Sequence, residues 1–559
     1  MTRRSRSLAA LVTCVLVAAI LVGMLPGSPA SGQAAGRGAA DRRVEQAACD
    51  IPHQFLLRTW RGWRPDRGPE IAMIPTYPNY VGSGLPHVGP WPYVQEVPIL
   101  VYGPGHVPAV GDVGRPVTVA GLAPTVAELL QEPFQAIDGQ PLHEALPPKA
   151  ERSDRPKLVV TLVWDAAGNN VLKEHAGDYP FMESLKRDGV FYTNATVGSN
   201  PTSTAQIHTT IGTGAFPRNS GLIGHRLRIG EEITTPWSQG PAFINVPMFA
   251  DLYDRAHDNE PVVGLMGTVS IHAGMLSHGA MWGGGDKDLL MLRQAVGGDT
   301  LGDETFEWNL PASLQAYYEF PEYANDVPGF EADVDEMDRA DGKLDGKWRD
   351  NEIAPLLNGF DTPARPIYQE RVLEELIERE GFGADEVPDL LYVNHKIIDY
   401  ISHVWTMNSP EMADAVKAED RALETFVSFL NEHVGEDEWV LMLTADHGSI
   451  PDPDRSGAFQ ISTTPIAAGI NIAFDDDGDD DYIVELVQPV GVFIDEAELK
   501  QNGHTLAEVA AFVMDLTKGD VAAEGVHVPS GQADDPVFDA AFPMESMFDL
   551  PCLPEARRG

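Results

Sequence analysis

The sequence predicts an α/β protein in which a mostly parallel central sheet is flanked by helices and carries a cap insertion. Two observations carry this expectation. Three continuous apolar runs, KLVVTLVW (157–164), PDLLYVNH (388–395) and EWVLMLT (438–444), read as strands buried on both faces. Each ends on or just before an acid or a histidine: Asp165 follows the first, His395 closes the second, and Asp446 and His447 follow the third. In open α/β sheets the carboxyl ends of strands converge on the ligand site, so these residues are expected to meet.

The remaining elements follow in chain order. Arg3, Arg4 and Arg6, an apolar run to Met24 and small residues up to Ala30 form an export signal over 1–30, which places the mature chain outside the cytoplasm with no membrane span left after cleavage. Residues 31–52 are small and polar and are expected to be flexible. Segment 53–150 offers a strand in EIAMIP, a loop carrying His87, a strand in VPILVY and a helix in LAPTVAELLQ. The Pro-rich, charged stretch 147–156 reads as a surface linker. Residues 156–225 belong to the core with the first strand, and 226–385, rich in Trp, Met and Asp without the strand rhythm, reads as the cap. The core resumes over 386–475 and ends with 476–559.

Composition excludes some functions. With 559 residues and 43% hydrophobic content the chain can bury a large core. A formal charge of −45 leaves no basic face for duplex nucleic acid. The run DDDGDDD (475–481) reads as a solvated loop. DGKLDGKWRDNE (341–352) resembles a calcium-binding loop, but Lys343 spoils a ligand position and a polar turn is favoured. Cys49 and Cys552 remain after the signal is removed and suggest one disulfide in an exported protein, two buried thiols being the alternative. Nothing in the sequence fixes the oligomeric state.

Asp165, Asp399, His403, Asp446 and His447 have metal-ligand character. Asp399 and His403 are spaced i,i+4 and share one face of a helix. A mixed Asp/His set without cysteine suits Zn²⁺ first, with Mn²⁺ or Fe behind. Any one Asp-His pair alone would more often be a hydrogen-bonded loop; their common position after apolar strands is the stronger sign. Thr202, Ser203 and Thr204 form a hydroxyl cluster at the start of a helix, where amide donors and the helix dipole favour an alkoxide and a phosphate. Simple N-capping is the plainer alternative.

On these residues the chain resembles the alkaline phosphatase superfamily, and most of all its type I phosphodiesterase/nucleotide pyrophosphatase branch. The matching motifs are Asp165 after the first strand, PTST with Thr204, TGAFPRNSG (213–221), DYISH with Asp399 and His403, and ADHG with Asp446 and His447. The family's last histidine is missing downstream, where His504 and His527 have unsuitable surroundings. The strand, helix and tail that follow that histidine in the family lie instead at 87–146, so the order resembles a circular permutation with His87 completing the site. The old chain ends would then adjoin, where Cys49 and Cys552 sit.

The resemblance implies an alkaline-phosphatase-like fold and an exported hydrolase of small phosphate esters, diester-directed, with two divalent ions. One ion would be held by Asp399, His403 and His87, the other by Asp165, Asp446, His447 and Thr204, with Thr204 as nucleophile, or failing it Thr202 or Ser203. Two departures qualify the substrate. Ala205 replaces the aromatic that often follows the nucleophile. His225 stands where the family places an Asn that binds the phosphoryl group, and a protonated His225 would favour a more highly charged phosphate. A phosphomonoesterase or phosphonate hydrolase is the near alternative, a head-group transferase or a non-catalytic metal-stabilised binding protein the more distant ones. The C/S-x-P-x-R motif of sulfatases is absent.

Overall fold

The computed structural model describes residues 38–149, 154–296, 305–353, 362–475, 478, 481–523 and 525–557. The expected export signal and most of the acidic run 475–481 lie outside the described residues. Of the unit formed by residues 1–39, only Gly38 and Ala39 are described; the body begins at residue 40.

Thirteen strands organise the body: β1 Ile71–Pro75, β2 Ile99–Tyr102, β3 Gly111–Val113, β4 Leu158–Trp164, β5 Val190–Tyr192, β6 Val263–Gly267, β7 Asp288–Val296, β8 Thr305–Asn309, β9 Asp389–His395, β10 Trp439–Thr444, β11 Val484–Gln488, β12 Gly491–Ile494 and β13 Phe538–Pro543. The large sheet runs β8-β7-β6-β9-β4-β10-β2-β5-β3, with Tyr318–Glu319 added beside β7. The three apolar runs are its centre: β4 pairs in parallel with β9 on one side and β10 on the other. All three are buried at every position, as expected of strands covered on both faces. Their registers are level, Trp164 opposite His395 and Val163 opposite Thr444, so the residues beyond them emerge at one edge.

The segment ahead of β4 in sequence enters the same sheet, since β2 lies antiparallel beside β10 with Ile99 opposite Thr444. The stretch 226–385 departs from the expected cap. It supplies β6, parallel to β9, and β7, parallel to β6, and so extends the central sheet. Gly264 and Gly267, which interrupt and end VVGLMG (262–267), hid this strand from a reading based on unbroken apolar runs.

Five helices frame the site and the second core: α1 Ala39–Asp50, α2 Thr204–Thr213, α3 Ile397–Trp405, α4 Pro410–Leu430 and α5 Leu506–Asp515. The expected flexible segment is largely α1. Val44 and Ala48, spaced i,i+4, bury one face of it in a second hydrophobic cluster, and Arg43 Nη1 donates to Asp515 Oδ2 on α5 at 2.8 Å. That cluster is built around the antiparallel sheet β11-β12-β1-β13. A disulfide joins Cys49 to Cys552 with the Cα atoms 5.7 Å apart, as the sequence suggested. Residues 341–352 form a polar turn and a two-residue hairpin. Among the described residues no helix is long and apolar enough to cross a membrane.

Candidate active site

The carboxyl edge of β4, β9 and β10 gathers the residues named from sequence. Asp165 continues from β4, and its N–H donates to the carbonyl of His395 at 2.9 Å, which locks it onto the neighbouring strand. Ala166 then turns into the left-handed region with φ 63°, unusual for a residue with a Cβ. Its N–H donates to Asp446 Oδ1 at 3.0 Å, so the turn couples the two strand-end acids. The glycine of ADHG has a steric cause. A Cβ on Gly448 would meet the Tyr93 carbonyl at 2.0 Å, and one on Gly168 would meet Gly448 Cα at 2.4 Å. The loops after β4 and β10 therefore touch backbone to backbone.

Two trios of donors result. In the first, one ligand atom each from Asp165, Asp446 and His447 lie within 4.8 Å of one another, all fully buried. In the second, His87, Asp399 and His403 meet the same limit, with His87 Nε2 at 3.0 Å from Asp399 Oδ1. The i,i+4 pair Asp399 and His403 does lie on a helix, α3. The imidazoles of His87 and His447 stack with centroids 3.7 Å apart and bring the trios together. The His87 loop is held by Thr202, whose hydroxyl donates to the His87 carbonyl at 2.7 Å and accepts the Gly89 N–H at 3.2 Å. Ser203 donates to Gln206 Oε1 at 2.6 Å. Of the three hydroxyl residues, Thr202 and Ser203 are thus engaged in holding structure, while Thr204 opens α2 and faces the cavity.

The chemistry of these donors fits divalent ions. Asp165 Oδ1, Asp446 Oδ2, His447 Nε2 and Asp399 Oδ1 are buried and make no well-aligned hydrogen bond, their close neighbours being charged or ligand groups of the same cluster, Lys396 Nζ at 2.9 Å from Asp165 Oδ1 and His87 Nε2 at 3.0 Å from Asp399 Oδ1. Buried polar atoms are rarely left so without a ligand to satisfy them. His403 Nδ1 donates to the Gly84 carbonyl, which leaves Nε2 for an ion.

Three residues of the site escaped the sequence reading. Lys396, which directly precedes α3, places Nζ 2.9 Å from Asp165 Oδ1, 2.9 Å from Asp399 Oδ2 and 3.4 Å from Thr204 Oγ1. His208 lies one turn after Thr204 on α2. Its Nδ1–H donates to the Thr204 carbonyl at 2.9 Å, and its Nε2 accepts from Asn394 Nδ2 at 3.0 Å. His272 accepts the backbone N–H groups of Thr268 and Val269 at Nδ1, so Nε2 bears the proton and faces Asp165 Oδ2 at 3.4 Å. These bonds fix the tautomers. His208 and His272 therefore brace the Asp165 side of the site, where with that carboxylate they also form a third group of donor atoms within 4.8 Å of one another. The i,i+4 spacing of Thr204 and His208 was a usable sign. His272 was hidden in the supposed cap.

Electrostatics follows from this packing. Burial, the largest single influence, would raise Asp165 and Asp399, but the Lys396 ammonium together with the neighbouring histidines, His272 and His447 for the first and His403 and His87 for the second, holds both well below the usual carboxylate range. Burial lowers His87 to about 4, the neighbouring His447 adding to the effect. His403 is pushed up to about 9, because Asp399 more than offsets its desolvation. Burial, then the charge of Lys396, lowers the half-buried His225 to about 4, the direction of a neutral ring rather than of the protonated one that would favour a more highly charged phosphate.

The trio of His87, Asp399 and His403 lines a cavity of about 420 Å³ together with Thr204, while Asp165, Asp446 and His447 lie behind it, fully buried. One wall carries Lys396, His225 and His403. The other is largely apolar, formed by Val269, Ile271 and the β11–β12 turn at Pro489 and Val490.

The family model of type I phosphodiesterases/nucleotide pyrophosphatases matches residues 159–538. Over 352 residues, 54% of this chain and 62% of the other, the sequence is 24% identical to a protein of Myroides odoratus named calcium-transporting ATPase. Over 79 residues, 14% of each chain, it is 33% identical to alkaline phosphatase PafA of Elizabethkingia meningoseptica. The matches thus span under two thirds of these relatives' lengths. The crystal structure of wild-type PafA aligns with a TM-score of 0.48 at 18% identity, covering 64% of this chain and 76% of that one. The chain belongs to the type I phosphodiesterase/nucleotide pyrophosphatase family.

Proposed function

We propose that this family member is an exported, metal-dependent phosphoric ester hydrolase that uses Thr204 as nucleophile and acts on small phosphodiesters. The observation that carries the reading is the pair of donor trios linked by the His87–His447 stack, with Lys396 reaching from their carboxylates to the Thr204 hydroxyl at the start of α2. Family membership supports it.

Asp165, Asp446 and His447 would hold one divalent ion together with Thr204, and His87, Asp399 and His403 a second, Zn²⁺ foremost. Ions so bound lower the pKa of a nearby hydroxyl, activate water and neutralise charge on a leaving oxygen. The chain does the rest. Asn394 and His272 fix the Asp165 carboxylate from behind, at 3.1 Å and 3.4 Å. The first amides of α2 supply donors where charge builds on the phosphoryl group, and His225 faces the same cavity. Thr204 Oγ attacks phosphorus in line, the ester P–O bond breaks with departure of the alcohol, and water then cleaves the phosphothreonine to release the second product. The apolar wall receives the ester group.

That His87 reaches this site from ahead of β4, on the approach to β2 beside β10, is what supports reading the chain as a circular permutation of the family order.

Hydrolysis of bis-p-nitrophenyl phosphate against p-nitrophenyl phosphate by the Zn²⁺-loaded protein tests the function, with Thr204→Ala and His87→Ala alongside. Diester preference abolished by both substitutions is expected. Full activity in Thr204→Ala would move the nucleophile or remove the reading. A monoester preference would favour the alternative of a phosphomonoesterase, for which one observation speaks: the Lys396 charge, 3.4 Å from Thr204, suits a dianionic phosphoryl group.

A further inference from the structure

Lys396 touches one carboxylate from each trio. Its Nζ pairs with Asp165 Oδ1 and Asp399 Oδ2, both at 2.9 Å, and the residue is only 6% exposed. Three aspartates, Asp165, Asp399 and Asp446, are enclosed at this edge of the sheet, each almost fully buried. Enclosed carboxylates at such spacing repel one another unless a cation sits among them. The ammonium meets that need on the two carboxylates that belong to the candidate ion groups: it takes Asp165 Oδ1 itself, and on Asp399 it takes Oδ2, the other oxygen of the carboxylate whose Oδ1 faces His87 and His403. Its position is not adjustable at the backbone, because Lys396 ends the run from β9 into α3 and the Tyr400 N–H donates to its carbonyl at 3.1 Å. Only the side chain can yield.

We infer that Lys396 is a resident cation of this site that competes with divalent ions for Asp165 and Asp399. The inference rests on reading the two trios as ion sites. Ion binding on Asp165 Oδ1 must displace the ammonium, and an ion on Asp399 must share that carboxylate with it, so either event brings a dication close to an ammonium in a medium that screens poorly. The same ammonium keeps the metal-free carboxylates paired, so the site survives without an ion, and it weakens ion binding in return. Tethered beside Thr204 Oγ1, it is also a positioning residue for that hydroxyl.

Zn²⁺ titration of the chelator-stripped, full-length protein by calorimetry tests this, comparing wild type with Lys396→Met and Lys396→Arg. Lys396→Met, close in length but uncharged, is expected to bind at least one Zn²⁺ about tenfold tighter or more, and to melt lower than wild type when metal-free, with Zn²⁺ closing that gap. Lys396→Arg, which keeps the charge, is expected to stay close to wild type. Equal or weaker Zn²⁺ affinity in Lys396→Met would overturn the inference. If that variant does not stay folded when stripped, transfer of Zn²⁺ from the loaded protein to a chelator reads the same competition: slower transfer supports it and an unchanged rate defeats it. Should wild type take up no Zn²⁺ at all, the ion reading of the trios falls, and this inference with it. Equal uptake by both proteins removes Lys396 alone.

Discussion

At the carboxyl end of the central sheet three buried aspartates are held ionised, whereas at the amino end Asp389, also buried, is pushed up to about 7. Asp389 accepts two backbone N–H bonds, from Val262 and Gly383, each at 2.6 Å. Those bonds do not outweigh burial, and the charge of Asp385 adds to the rise. At the other end neighbouring cations and histidines reverse the balance: Lys396 foremost for Asp165 and Asp399, and His447 then His208 for Asp446. The same residue type is thus held charged at one end of the sheet and raised towards neutrality at the other, and the difference comes from the positive and hydrogen-bonding partners within reach. Charge kept at one end and shed at the other is what separates a ligand-binding edge from a structural one.

The largest expected effect sharpens this contrast at the charged end. Asp446→Asn keeps the shape but removes a charge from the fully buried trio, and hydrolysis should fall on the order of a thousandfold, several kcal/mol of transition-state stabilisation; steady-state kinetics at saturating Zn²⁺ reads it. A loss under tenfold would break the comparison. His403→Ala strikes the more open trio, where the side chain is 33% exposed. Activity should drop less, about 10- to 100-fold, and recover in part as Zn²⁺ is raised.

Away from both ends, Cys49→Ser opens a closure of 503 residues and should cost about 2–5 kcal/mol in denaturant unfolding. Activity per folded molecule should not change, which would show that the second cluster supports the fold rather than the charges. The smallest effect lies at the amino end. The folded pKa of Asp389 is raised above its unfolded value, so its contribution to stability is fully present below about pH 4 and is lost as pH rises through about 7. The gap in melting temperature between wild type and Asp389→Asn should therefore shift against wild type over that window. A pH-independent gap would show that the amino-end acid is as ionised as those at the other end.

Much of the site was legible because its donors follow apolar runs or share a helix face. Asp165, Asp399, His403, Asp446 and His447 were all placed by that logic, and the three runs that became β4, β9 and β10 needed only hydrophobicity to be read. His87 required a comparison of element order with a known family. Other parts carried no local sign. β6 is broken by glycines, α1 buries only Val44 and Ala48, and His272 acts on Asp165 across 107 residues of chain that periodicity cannot connect.

The amino-acid order by itself determined the central strands, the acids and histidines that follow them, the hydroxyl at the start of α2 and the two cysteines that pair. Those features depend on burial pattern and short spacings, which a linear chain records. Only the tertiary structure decided which partners each charge meets. It set Lys396 between Asp165 and Asp399, drew His225 towards its neutral form, and turned His208 and His272 into braces. Protonation and tautomer are set by atoms within a few ångströms, and in this fold those atoms come from segments hundreds of residues apart.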